Sequence, residues 1–238
     1  MKIVTICRTL NEERNINQFC KSHSFSDLIL IADGGSEDKT VRLAKKFDNV
    51  KVRNFREKVE LKNGYWCNPD WKHRNFMIEW AEEEGADWII MDDADTNPNK
   101  LLVDDVRDIF QTTQYSYVQV AQLYMWGKDK FFPKMSKINN GEYEVGLWAW
   151  KPETKLRTYG EIPHYFFVYN GSNKMIDFTK IESQRLMPPY CRLHNNFPDI
   201  ETTNRKLKYY KESGLMEGIR HPFEYCGALE NLPEWAEL

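Results

Sequence analysis

The chain has few of the features that assign a protein at sight. Its 238 residues hold no long apolar run; stretches such as Leu28-Ile29-Leu30-Ile31-Ala32 end early, against the roughly 20 residues of a membrane-spanning helix. No transmembrane segment is therefore expected. The N-terminal Ile3-Val4-Thr5-Ile6-Cys7 stretch is cut by Arg8, so a secretory signal core is not expected either. Cysteine is sparse and unpatterned: Cys7, Cys20, Cys67, Cys191 and Cys226 are odd in number and form no C-x-x-C pair. That excludes a disulfide framework or a structural zinc as the organising device and points to a reducing cytoplasm. Basic surplus is missing too. With 33 Lys and Arg against 36 Asp and Glu, the net charge is −3, which disfavours general nucleic-acid binding while leaving room for a local basic patch. The G-x-G-x-x-G of a dinucleotide site and the G-K-[S/T] of a P-loop are also absent.

Enough apolar mass is present for one sizeable core: 41% of residues are hydrophobic, 14% aromatic and 29% charged. The length suits a single domain over residues 1–238. Strand and helix signals alternate through the first hundred or so residues. Residues 2–7 read as a buried strand, followed by Ile16, Phe19 and Cys20 at helical spacing. Residues 28–32 form a second strand, apolar on both faces as parallel sheets are. A turn at Asp33-Gly34-Gly35-Ser36 leads into a helix over 36–47, with Ser36 as its N-cap; a third strand covers 50–53. Residues 54–70 read as a loop, 71–84 as a helix, and Trp88–Met91 as a fourth strand running into Asp92-Asp93-Ala94-Asp95. Helices are expected at 101–110 and 202–213, strands at 115–126, 146–150 and 164–169, and an irregular tail at 222–238. The predicted class is α/β, with a mostly parallel central sheet and helices on both faces. In such sheets ligands bind beyond the carboxyl ends of the strands, where the turns after Ala32 and Met91 both lie.

Three carboxylates within four residues repel one another unless solvent or a cation relieves them. Two at i and i+2 on a strand end can converge on one hard divalent ion; the structural alternative is a solvated acidic turn. Asp33 before two glycines offers a carboxylate to a ligand, or else simply organises a strand–turn–helix connection.

The order strand, Thr9-Leu10-Asn11-Glu12-Glu13, helix, strand, Asp33-Gly34-Gly35-Ser36-Glu37-Asp38-Lys39-Thr40, helix, and later Asp92-Asp93-Ala94-Asp95 resembles the family 2 glycosyltransferases, which have the GT-A fold. Trp71-Lys72-His73-Arg74-Asn75 is similar to a segment in the branch that includes lipopolysaccharide-core glucosyltransferases. The resemblance covers residues 1 to about 100 and is specific as a set. It implies a nucleotide-sugar-binding half over 1–100 and a smaller, mixed acceptor half over 101–238. The implied reaction moves a sugar from a UDP- or GDP-sugar to an acceptor hydroxyl on a glycan, a protein or a modified nucleobase. It is inverting and dependent on Mn2+ or Mg2+. By the same resemblance Thr9, Asn11 and Glu12 line the donor pocket, Asp33 bonds the base, Asp93 contacts ribose or metal, and Asp95 ligates the metal. Arg74 and Asn75 belong to the donor site, Arg74 on a phosphate oxygen; its alternative is a surface ion pair with Glu79 or Glu83.

Further on, Gly160-Glu161-Ile162-Pro163-His164-Tyr165 is similar to the family's G-x-V-H-E segment, with Tyr165 where a Glu is expected. Inverting transfer needs a carboxylate to take the acceptor proton. Glu161 is the first candidate, and Glu144 and Asp177 follow. His164 is equally readable as a packed histidine. Arg192-Leu193-His194 and the helix containing Lys206 and Tyr209-Tyr210 resemble the family's late motifs, which implies His194 as a metal ligand or a holder of the departing diphosphate; a loop histidine is the alternative. The many aromatics in the second half are read mostly as core, with Trp126 and Trp148 as candidates for an acceptor groove. Two rivals remain. A sugar nucleotidyltransferase would carry a glycine-rich basic loop where Arg8–Glu12 stands; a catalytically inactive GT-A module fits the missing Glu but not the Asp93/Asp95 pair.

Overall fold

The computed structural model describes residues 1–137, 142–160, 165–215, 221–226, 228–236 and 238. The chain opens with β1 (Ile3–Thr9), α1 (Ile16–Ser22), β2 (Leu28–Asp33), α2 (Thr40–Ala44) and β3 (Val50–Asn54). A small hairpin, β4 (Val59–Glu60) and β5 (Trp66–Cys67), leads to α3 (Asp70–Glu83), and β6 (Trp88–Met91) returns beside β1. Then come β7 (Thr96–Pro98), α4 (Lys100–Thr112), β8 (Tyr117–Trp126), β9 (Lys130–Phe131), α5 (Pro133–Ser136) and β10 (Val145–Trp150). An antiparallel excursion of β11 (Leu156–Tyr159) and β12 (Phe166–Tyr169) precedes the long β13 (Gln184–Phe197) and α6 (Ile200–Ser213), and α7 (Pro222–Tyr225) and β14 (Glu230–Asn231) follow.

In the ten-stranded sheet, β3, β2, β1 and β6 lie side by side and parallel. The antiparallel β10 joins β6 to β8, so β8 points the same way as the first four, and β13 pairs parallel with β8. The expected α/β class with a mostly parallel central sheet is thus what the chain forms. Alternation along each strand explains the layers. Val4, Ile6, Leu30 and Ile89 face Met77, Ile78 and Ala81 of α3. On the other face Ile29 and Ile31 pack on Ile16 and Phe19 of α1, while Ile3 and Ile90 pack on Leu102 and Val106 of α4. Strands apolar on both sides demand this double cover, since burying each such side chain contributes about 1.5–3 kcal/mol.

The structure departs from the sequence expectation at several elements. The second helix starts at Thr40, not at 36, because Ser36 is spent elsewhere: its hydroxyl donates to Asp33 Oδ1 at 2.6 Å and accepts the Asn11 N–H at 2.8 Å. The Thr40 N–H bonds Asp38 Oδ1 instead. The stretch expected to be a loop contains β4 and β5, and the expected tail contains α7 and β14. β13 escaped notice because Pro188 and Pro189 interrupt its pattern; they fall between Leu186 and Cys191, where the register with β8 shifts and no ladder N–H is required. Trp148 does not line a groove. It is fully buried, packs on Phe110, and its indole N–H donates to Asp92 Oδ2 at 2.8 Å. Trp126 is half-buried, edge-on to Phe132 and Phe223. Among the described residues, no helix is long and apolar enough to cross a membrane.

Candidate functional site

The carboxyl ends of β1 and β6 deliver the two loops that matter. After Met91 the backbone turns through Asp93, whose carbonyl accepts the Thr96 N–H at 2.8 Å, and continues into β7. β7 pairs antiparallel with β13, placing Thr96 opposite His194, and the Asn195 N–H bonds the Asp95 carbonyl at 2.7 Å. That stitching brings His194 Nε2 to 3.4 Å from Asp95 Oδ1. The Gln122 side-chain amide lies 3.0 Å from His194 Nδ1, which leaves Nε2 turned toward the carboxylate. Burial disfavours a charged imidazole, but Asp95 and Asp93 outweigh it and raise the His194 pKa.

The three aspartates of the motif diverge. Asp92 points into the core, 3% exposed, and accepts from His23 Nε2 at 3.1 Å, Trp148 Nε1 at 2.8 Å and Arg192 Nη1 at 2.8 Å. Asp93 turns toward Arg74 Nη2 at 2.9 Å and Arg8 Nε at 3.4 Å. Burial alone would raise its pKa; Arg74, Arg8 and His194 hold it well below the usual carboxylate range. Asp95 is the one turned to His194.

Arg74 is itself consumed. Its Nε donates to Asp70 at 3.0 Å, and its guanidinium lies 4.2 Å above the ring of Tyr165. Neither Glu79 nor Glu83 partners it. Tyr165, at the position where a carboxylate was expected, is half-buried and kept protonated, because burial and Asp93 outweigh Arg74.

Glu12, at the start of the β1–α1 loop, is half-buried and takes the Asn15 side-chain amide at 2.8 Å. Burial, and then the nearby Asp95, push its pKa up to about 7. Two joined cavities surround this group. An inner one of about 420 Å³ is lined by Arg8, Thr9, His73, Asp93 and His194, among others. An outer one of about 950 Å³ includes Asn11, Arg14, Asn195, Thr202 and Arg205. Both share Glu12, Asp95, Asn196, Lys206 and Tyr209. Together they have room for a nucleotide-sized ligand.

Of the residues expected from the sequence, the fold therefore brings Thr9, Asn11, Glu12, Asp93, Asp95 and His194 to the cavities. Others lie elsewhere. Asp33 is 2% exposed and lines neither cavity: its Oδ1 accepts from the Thr9 and Ser36 hydroxyls, its Oδ2 from the Gly35 and Ser36 N–H groups at 3.0 and 2.8 Å. Its carboxylate organises the turn. A Cβ on Gly34 would sit 2.1 Å from Asn68 Oδ1, so that side chain would have to turn away, and Gly35 has φ +104°, which favours glycine. Asn75 ties α3 to β11 by bonding the Thr158 N–H at 2.7 Å and carbonyl at 2.9 Å. Asp177 is capped by Thr179 and paired with Lys180 at 2.9 Å, bonds that lower its pKa to about 2. Glu144 is exposed; it lines neither cavity, though its charge adds to the burial that raises the pKa of Tyr124, whose ring lies 5.4 Å from that of His194. Glu161 and His164 lie outside the described residues. Two contributors went unread in the sequence: Arg8, taken only as the end of an apolar run, and Asp70, whose signal was its i,i+4 spacing to Arg74.

Whether these residues suit a divalent ion can be judged from the donors. Among the described residues, no three His, Cys, Asp or Glu side chains gather as a preformed metal cage, and Asp93 is held by two arginines. The open type of site, with few protein ligands and the rest water and phosphate oxygens, fits Asp95 with His194. Asn195 Oδ1, buried and without a partner among the described residues, lies on the outer cavity with Asp95.

No family model and no curated protein matches the chain. Solved structures of similar outline include S. aureus TarS 1-349 in complex with UDP-GlcNAc, at 20% identity and TM-score 0.43, over 54% of this chain and 36% of that one. The chain thus spans little more than a third of that TarS chain. Glucosyl-3-phosphoglycerate synthase from Mycobacterium tuberculosis, in complex with phosphoglyceric acid, is similar at 17% identity and TM-score 0.49, over 98% of this chain and 86% of that one. The same synthase with Mn2+, UDP and phosphoglyceric acid gives 16% identity and TM-score 0.49, over 98% and 87%.

Proposed function

We propose that the chain is a GT-A glycosyltransferase that moves a sugar from a UDP- or GDP-sugar to an acceptor hydroxyl. The observation that carries this reading is the Asp95–His194 pair beside Glu12, set where two cavities join at the carboxyl ends of parallel strands. Thr9 and Asn11 line the donor side, and Lys206 faces the same space. Bound there by Asp95 and His194, Mn2+ or Mg2+ would offset the charge that develops on a departing diphosphate. Glu161 remains our candidate base for an inverting transfer, on sequence grounds. Asp177, held in its own turn, and Glu144 are the alternatives; both lie off the two cavities. The family 2 assignment and the lipopolysaccharide-core branch belong to this proposal and rest on the quoted motifs. So do the division into a donor half and an acceptor half and a cytoplasmic location; the acceptor class stays at glycan, protein or nucleobase.

A second reading, a catalytically inactive module that binds nucleotide or glycan, is favoured by two details: Asp93 neutralised by arginines, and Tyr165 in place of a carboxylate. The test is a thermal-shift panel of UDP, GDP, CDP, ADP and dTDP with and without Mn2+, followed by release of free sugar from the matching donor. A ligand that binds only the folded state raises Tm by mass action. Metal-assisted stabilisation with slow donor hydrolysis is the expected result. Stabilisation without any hydrolysis or transfer favours an inactive nucleotide-binding module, and no response from any nucleotide overturns the transferase reading in favour of an inactive glycan-binding module.

A further inference from the structure

Arg8 faces the inner cavity in a way that Arg74 does not. Both guanidiniums approach the same two oxygens, Asp70 Oδ1 and Asp93 Oδ1. Arg74 hydrogen-bonds them at 3.0 and 2.9 Å and is 4% exposed. Arg8 Nε stands 3.1 and 3.4 Å from the same atoms, yet it is buried and makes no hydrogen bond. The side chain as a whole is 39% exposed. Among the described residues, none accepts a hydrogen bond from this guanidinium.

Arg8 is therefore fixed by charge while its donors remain unspent. Two guanidiniums against two carboxylates make the cluster neutral, so Asp93 is compensated before any ligand arrives. A guanidinium edge of this kind matches two oxygens of one phosphate, and Lys206 on the same cavity supplies a further cation.

We propose that Arg8 is an anion subsite that holds a phosphate group in the inner cavity without a metal ion. It stands in addition to the Asp95–His194 pair, and it places on Arg8 the phosphate contact that the sequence assigned to Arg74. Its natural ligand rests on the nucleotide-sugar reading; its chemistry does not.

The test is calorimetric titration of the full chain in EDTA with inorganic pyrophosphate, UDP and uridine, on the wild type and Arg8→Gln. Pyrophosphate and UDP are expected to bind the wild type. Both should weaken about 10- to 100-fold in Arg8→Gln, the range for losing a charged hydrogen bond, while uridine is unaffected. Arg8→Gln binding pyrophosphate as tightly as the wild type, or a wild type that binds none in EDTA, overturns the subsite. Should Arg8→Gln not fold, Arg8→Lys keeps the charge but loses the planar fork, and pyrophosphate affinity unchanged in that variant overturns it equally. Pyrophosphate lost in Arg8→Gln with no nucleotide bound even in Mn2+ keeps the subsite and sinks the nucleotide-sugar reading. UDP that needs Mn2+ and ignores Arg8 does the reverse.

Discussion

Asp92 and Asp95 are three residues apart and of the same type, yet their substitution is expected to act in opposite ways. Asp92→Asn keeps the volume and removes the charge. In the native core that charge faces Arg192, whose side chain is 8% exposed and which has no other ion-pair partner among the described residues; Arg192 Nε is already buried without a hydrogen bond. The amide also turns an NH2 group toward one of three donors, from His23, Trp148 or Arg192. Removing one member of a buried pair costs about 3–5 kcal/mol, because the other is left uncompensated. For a chain of this length each kcal/mol lowers Tm by about 2–4 °C, so a loss of about 10 °C is expected. Urea unfolding followed by fluorescence measures it. Asp95→Asn gives up the attraction of His194, 3.4 Å away, but also the repulsion of Asp93, and should cost less, about 1 kcal/mol. A double change, Asp92→Leu with Arg192→Met, should recover much of the loss, since the pair stabilises mainly by not being broken. If Asp92→Asn costs less than about 1 kcal/mol, the inward carboxylate is not holding the motif and the argument fails.

Asp95→Asn should instead remove the Mn2+-dependent part of nucleotide stabilisation in the thermal-shift panel; a full metal response in that variant refutes the Asp95–His194 assignment. Asp33→Ala should destabilise the turn by about 1–3 kcal/mol, because four donors lose their acceptor, and any weakening of nucleotide binding should track the loss of Tm. His73 is buried, and burial, helped by Arg8, lowers its pKa to about 4. The unfolded chain takes up a proton near 6.5 while the folded chain waits until about 4. This contribution is therefore present above 6.5 and lost as pH falls toward 4, at most about 3 kcal/mol. Stability measured from pH 7 to pH 4 should fall less steeply in His73→Gln than in the wild type, and equal slopes would exclude the effect.

The chain's own pattern determined the first half of the fold, because the physics there is local and repetitive. Runs such as Ile29, Leu30 and Ile31 cannot be solvated on either face, so they become parallel strands with helices above and below. Once the strands are parallel, the turns after Ala32 and Met91 must share an edge, which made Asp33 and the Asp93/Asp95 pair readable as neighbours; Glu12 entered only through the family resemblance. Tertiary structure decided what each of those groups does. Only the pairing of β7 with β13, a strand hidden by its two prolines, sets His194 against Asp95. Spacing said nothing of Asp92 turning inward, since its partners His23, Trp148 and Arg192 come from distant stretches of the chain. Nor did it reveal that Asp33 spends its carboxylate on its own turn, or that Arg74 spends its charge on Asp70 and Asp93 and leaves Arg8 facing the cavity. Hydrogen bonds and burial at long sequence separation make those choices, and both exist only once the chain has folded.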